Sequence, residues 1–171
     1  MRKLYGASAI LLACFLAALQ RLRRKRDRIR LLHALETSLI GLRTELAERQ
    51  RSLGELFRFH SRKSENRTVC AFYNTLYSDL NGLGERGFAE IWCCAVKSSF
   101  EMMGESVCDA LYPLGGCLGG SELDRQCASL ETAAQRIAGQ ERAEKEKLTA
   151  ERRLNFGLAL SAGAFLVIML M

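Results

Sequence analysis

The two ends of this chain carry almost no charge and its middle is dense with it, and that division restricts the fold more than any other feature. Leu4 to Gln20 reads LYGASAILLACFLAALQ, and Leu154 to Met171 reads LNFGLALSAGAFLVIMLM. At roughly 1.5 Å per residue each covers about 26–27 Å, near the short limit for crossing a bilayer. For the first segment three readings compete: a cleaved signal peptide, with small residues between Ala13 and Ala18, a buried core helix, and a retained anchor. The run RLRRKRDRIR follows directly, and its dense positive charge resists translocation and holds that flank in the cytoplasm. Only Arg2 and Lys3 oppose it, so the retained anchor is favoured. Lys145, Lys147, Arg152 and Arg153 bias the second segment the same way.

The expected organisation is an N-terminal membrane anchor over 1–22, a cytoplasmic helical domain over 23–153 ending in a long stalk helix, and a C-terminal anchor over 154–171. This is a multi-pass protein of the cell membrane with its centre in the cytoplasm. In the tail, Gly157 with Ser161 and Ala159 with Gly163 make a face of small residues that allows close helix contact in lipid.

The middle reads as helices. Leu32, Leu35, Leu39, Leu42, Leu46 and Leu53 recur at steps suited to one amphipathic helix continuing from the first anchor. The polar stretch Ser61 to Asn66 is expected as a loop. Val69, Phe72, Tyr73, Leu76 and Leu80 form a second stripe, ended by the glycines after Asn81. Phe88, Ile91, Trp92, Ala95, Val96, Phe100 and Met103 form a third, with Trp92 as core anchor. Pro113 is expected to end a short helix, because the residue before a proline avoids helical geometry. Leu114-Gly115-Gly116-Cys117-Leu118-Gly119-Gly120 then reads as a tight connection where backbones approach closely. No Lys-Ser or Lys-Thr follows it and no strand precedes it, so it is not a phosphate loop. Ser121 with Asp124 resembles a capping box opening the last helix. Beyond Ala138 the apolar face thins, and Glu141 with Lys145 is an i,i+4 pair suited to an exposed stalk. A single proline among 171 residues agrees with an all-α chain.

Net charge is +6, and most of the excess lies between Arg21 and Arg30. Beside an anchor, that block sets topology and meets anionic head groups rather than nucleic acid. The seven cysteines are an odd number with no C-x-x-C spacing and read as reduced thiols, with no metal site among them. No catalytic constellation or cofactor loop is present, which points away from an enzyme.

The stretch PLGGCLGGSELDRQCASL, Pro113 to Leu130, resembles a leucine-glycine, leucine-glycine, polar, glutamine pattern of the stage III sporulation protein AB family. Gly115, Leu118, Gly119 and Gln126 stand at the matching places. The ending LVIMLM, Leu35-Glu36, Glu45, Ser52-Leu53 and Trp92 are similar too, although Ser52 replaces a frequent proline and the cysteine load is unusual. The resemblance implies a helical bundle similar to the cytoplasmic domain of type II secretion platform proteins, flanked by two transmembrane helices. It implies a non-enzymatic platform in the channel between mother cell and forespore. The expected partners are the secretion-type ATPase stage III sporulation protein AA, other membrane proteins of that channel, and membrane lipids. Gly115, Gly116, Leu118, Gly119 and Gln126 are the expected partner interface or structural junction. The alternatives are a redox- or metal-responsive membrane sensor using the cysteines, or a passive membrane spacer.

Overall fold

A computed structural model describes the backbone of residues 2–49, 52–80, 87–120 and 122–170, and the side chains of 16, 19–48, 52–80, 87–120 and 122–151. The described chain is all-α, with no strand: α1 (Arg2–Arg49), α2 (Leu53–Lys63), α3 (Arg67–Leu80), α4 (Phe88–Phe100), a 3₁₀ turn (Glu101–Met103), α5 (Glu105–Leu118) and α6 (Leu123–Leu170).

Helix α1 runs unbroken from the first uncharged segment into the leucine stripe. Leu32, Leu35, Leu39 and Leu42 are fully buried and Leu46 nearly so. Leu53 is not part of that helix, contrary to the stripe it appeared to continue. Ser52 breaks away in extended geometry, and its side chain accepts from the Glu55 amide at 3.4 Å, which starts α2. Helix α2 continues through Lys63, so the expected loop shrinks to Ser64–Asn66. There Asn66 Oδ1 accepts from the Thr68 amide at 2.9 Å and opens α3.

The core forms where α2, α3 and α4 present aromatic faces to one another. Phe72 lies 5.3 Å from Trp92 and 5.1 Å from Phe100, and Phe57 lies 5.9 Å from Tyr73 (ring centroids). Burying side chains of this size contributes about 1.5–3 kcal/mol each. Trp92, fully buried, also donates its indole N–H to the Leu111 carbonyl at 2.8 Å, tying α4 to α5. Each helix packs on the next, and α6 returns along α1, its most extensive partner.

Two expectations fail in this half of the molecule. Pro113 does not end a helix; it lies inside α5. It removes the amide that would bond to the Asp109 carbonyl, and both residues sit on the exposed face, where that carbonyl is open to solvent. The glycine-rich stretch is therefore helical as far as Leu118. The final helix also does not run on as a lone solvated stalk, because it stays beside α1 through ionic contacts where its apolar face thins.

Among the described residues no helix is long and apolar enough to cross a membrane. The side chains of nearly all of Leu4–Gln20, and all of Leu154–Met171, lie outside the described set, as do Gly157, Ala159, Ser161 and Gly163. Ser121 and the Asn81–Gly84 turn lie outside it too.

Candidate functional site

The glycine segment forms the corner where α4, α5 and α6 meet. A Cβ on Gly115 would stand 3.0 Å from Trp92 Cδ1, 3.1 Å from Trp92 Cβ and 3.2 Å from the Ala89 carbonyl oxygen. One on Gly119 would meet Phe88 at 3.0 Å. These two glycines let α5 lie directly against α4. Leu118 is buried beside them, and its carbonyl, at the end of α5, accepts from Gln126 Nε2 at 3.3 Å. Gln126 thus ties the start of α6 to an otherwise open helix end. Gly116 differs, since a Cβ there would meet nothing within 4 Å and the position faces solvent. Gly115, Leu118, Gly119 and Gln126 therefore come together as a packed junction, with Gly116 on its outer side.

The second feature is the seam between α1 and α6. Lys25 pairs with Glu151, Arg28 with Glu144 at 3.5 Å, His33 Nδ1 with Glu141 at 3.4 Å, and Arg43 with Glu131 at 3.2 Å. In every pair α1 supplies the basic group and α6 the acid. The residue numbers of the pairs total 172 to 176, so the helices run antiparallel in a steady register. Part of the basic run after the first uncharged segment is thus engaged by α6.

Glu141 is the unusual member of the seam, only 5% exposed. Glu36, one turn from His33 on α1, shares a hydrogen bond with it. Burial and then the Glu141 carboxylate push Glu36 above the ordinary carboxylate range. Burial works to raise Glu141 as well, but the Lys145 ammonium and the Glu36 hydrogen bond outweigh it and hold Glu141 below that range. Of the two carboxylates, Glu36 is therefore the one that takes up a proton first as pH falls. Sequence reading placed Glu141 and Lys145 on an exposed face; the pair does form, at 2.5 Å, but its acid is buried. The only sequence signal was the i,i+3 spacing of His33 and Glu36.

The six described cysteines are free thiols, and Cys14 lies outside the described side chains. Burial pushes Cys108 up, with the Tyr112 hydrogen bond opposing, which makes it a poor nucleophile at neutral pH. His60 is buried against Gly41 and Tyr73, with Nε2 lacking a hydrogen-bond partner. A shallow groove on α2 is lined by Glu55, Arg58, Phe59, Arg62 and Lys63, with Lys63 Nζ 5.1 Å from the Phe59 ring centroid.

A search of curated proteins and a search of solved structures each return no match. A family model described as stage III sporulation protein AB matches residues 3–171, nearly the whole of the chain, and the chain belongs to that family.

Proposed function

We propose that this protein is a non-enzymatic membrane platform of the sporulation channel between mother cell and forespore, anchored at both ends and docking a cytoplasmic secretion-type ATPase, stage III sporulation protein AA. Family membership supports a role in sporulation. The observation that carries the platform reading is the register of the α1–α6 seam. If the pairing total near 174 continues outward, Leu4–Gln20 and Leu154–Leu170 stand at matching heights on adjacent antiparallel helices. Two uncharged segments brought to one end of a molecule are what insertion into a single bilayer requires. The basic residues just inside them, Arg21 to Arg30, then lie at the head-group level on the cytoplasmic side. In this reading α2–α5 form a bundle similar to the cytoplasmic domain of type II secretion platform proteins. The basic face of α2, Arg58, Arg62 and Lys63, offers the ATPase a surface remote from the lipid.

The test has two stages. Single cysteines at the exposed positions Glu65 and Gln135, in a chain with its seven native cysteines replaced, are treated in intact cells with a membrane-impermeant thiol reagent. Both are expected to stay unlabelled until the cells are opened; labelling in intact cells sinks the topology. The full chain is then captured from sporulating cells, and absence of the ATPase from the eluate sinks the docking. Full function of the cysteine-free chain would also dispose of the cysteine-based sensor.

A further inference from the structure

We propose that His33, Glu36 and Glu141 form a binding site for a divalent cation of the zinc class, clamping α1 to α6 at the point where the two long helices leave the bundle. One donor atom from each of the three residues can be chosen so that all lie within 4.8 Å of one another. Tetrahedral coordination at roughly 2.0–2.2 Å sets ligand atoms about 3.3–3.6 Å apart. His33 Nδ1 and Glu141 Oε2, at 3.4 Å, already meet that spacing. The two remaining edges both run to Glu36 and close by a rotation of its side chain, which is only partly buried.

The site differs from the rest of the seam in its charge balance. Lys25–Glu151, Arg28–Glu144 and Arg43–Glu131 each set one cation against one carboxylate. Here two carboxyl groups face each other across the seam, and one of them is almost wholly buried. Glu141 Oε1 is buried with no well-directed hydrogen bond, its cation contact being Lys145 Nζ at 2.5 Å. That ammonium occupies the position of a positive charge. Lys145 is 56% exposed, lies on the same helix, and can turn into solvent when a metal enters. His33, 67% exposed, keeps the opposite side open for entry and for a water as fourth ligand. One imidazole nitrogen with carboxylate oxygens suits zinc and its neighbours, whereas magnesium and calcium favour sites built of oxygen alone.

The seven cysteines are competing zinc ligands, so the test uses Co²⁺ as a spectroscopic probe on the full chain in detergent. The visible bands of a tetrahedral Co²⁺ centre are expected without thiolate-to-metal charge transfer, and Zn²⁺ should displace them. His33→Ala removes an exposed ligand, leaves the fold intact by circular dichroism, and should weaken binding by about tenfold or more. Lys145→Ala should bind as well as the parent or better, because it removes the competing cation. A spectrum dominated by thiolate charge transfer, or no visible spectrum at all, overturns the proposal. So does equal binding by parent and His33→Ala, or loss of binding in Lys145→Ala.

Discussion

Gly115 and Gly116 are neighbours inside one helix but face opposite surroundings, so replacing each by alanine isolates the cost of the close approach between α4 and α5. In a helix interior, glycine to alanine gains about 0.8–1.0 kcal/mol from reduced backbone entropy alone. At Gly116 nothing lies within 4 Å of the new methyl, so Gly116→Ala should show the whole gain. At Gly115 the methyl meets Trp92 Cβ at 3.1 Å and the Ala89 carbonyl oxygen at 3.2 Å. Neither is the loose end of a flexible side chain, so α4 must shift as a unit. Overpacking of this kind costs about 1–3 kcal/mol. The propensity gain is common to both variants and cancels, so their difference measures the overpacking. At about 2–4 °C per kcal/mol for a chain of this size, the melting temperature of Gly116→Ala should exceed that of Gly115→Ala by about 2–12 °C. Thermal melts of the two full-length variants in one detergent, followed by circular dichroism, decide it. Equal shifts would falsify the close approach and with it the reading of Gly115 as a packing residue.

Three further outcomes rest on the same packing. Burial first, then Lys63, holds His60 below its ordinary value of 6.5, against the pull of Glu45. A lowered histidine stabilises the fold above the unfolded value and loses that contribution as pH falls below it. Denaturant midpoints should therefore fall from pH 7.5 to pH 5.5, and less steeply in a folded His60→Leu variant. In the seam, Lys25 and Glu151 are 40% and 50% exposed, so a double-mutant cycle should give a coupling of about 0–1 kcal/mol, shrinking with added salt. A coupling above that range, or one insensitive to salt, contradicts the solvated pairing. Finally, alkylation followed by mass spectrometry should modify exposed Cys94 well before buried Cys108, whose thiol is pushed up; equal rates would contradict the packing of α5.

The apolar stripes were legible because each helix buries a single face. Leu32, Leu35, Leu39 and Leu42 in α1, and Ile91, Trp92, Val96 and Phe100 in α4, line the core as their spacing requires. The features that escaped depend on partners distant in sequence. Pro113 is tolerated inside α5 because it falls on the solvent side of that helix, which the local signal does not reveal. Glu141 reads as a surface acid from its neighbours on α6, and only the register with α1 buries it against Glu36. At the candidate junction, close backbone approach was foreseen for the glycine segment as a whole. Which glycines are pressed against aromatic rings, Gly115 and Gly119, and which one is open, Gly116, depends on the orientation of α4.

The unbroken length of α1 and α6, 48 residues each, also governs how such a chain can vary. An extra residue between Arg21 and His33 could not be absorbed by a loop. It would turn everything before it by about 100° and displace it by about 1.5 Å. The outer part of α1 would then fall out of phase with both the leucine stripe and the acids of α6. Such a change is tolerated only with a matching one in the facing stretch of α6, or as whole turns. The two arms must therefore lengthen and shorten together, whereas a change of length in the short connection Ser64–Asn66, between α2 and α3, leaves that register untouched.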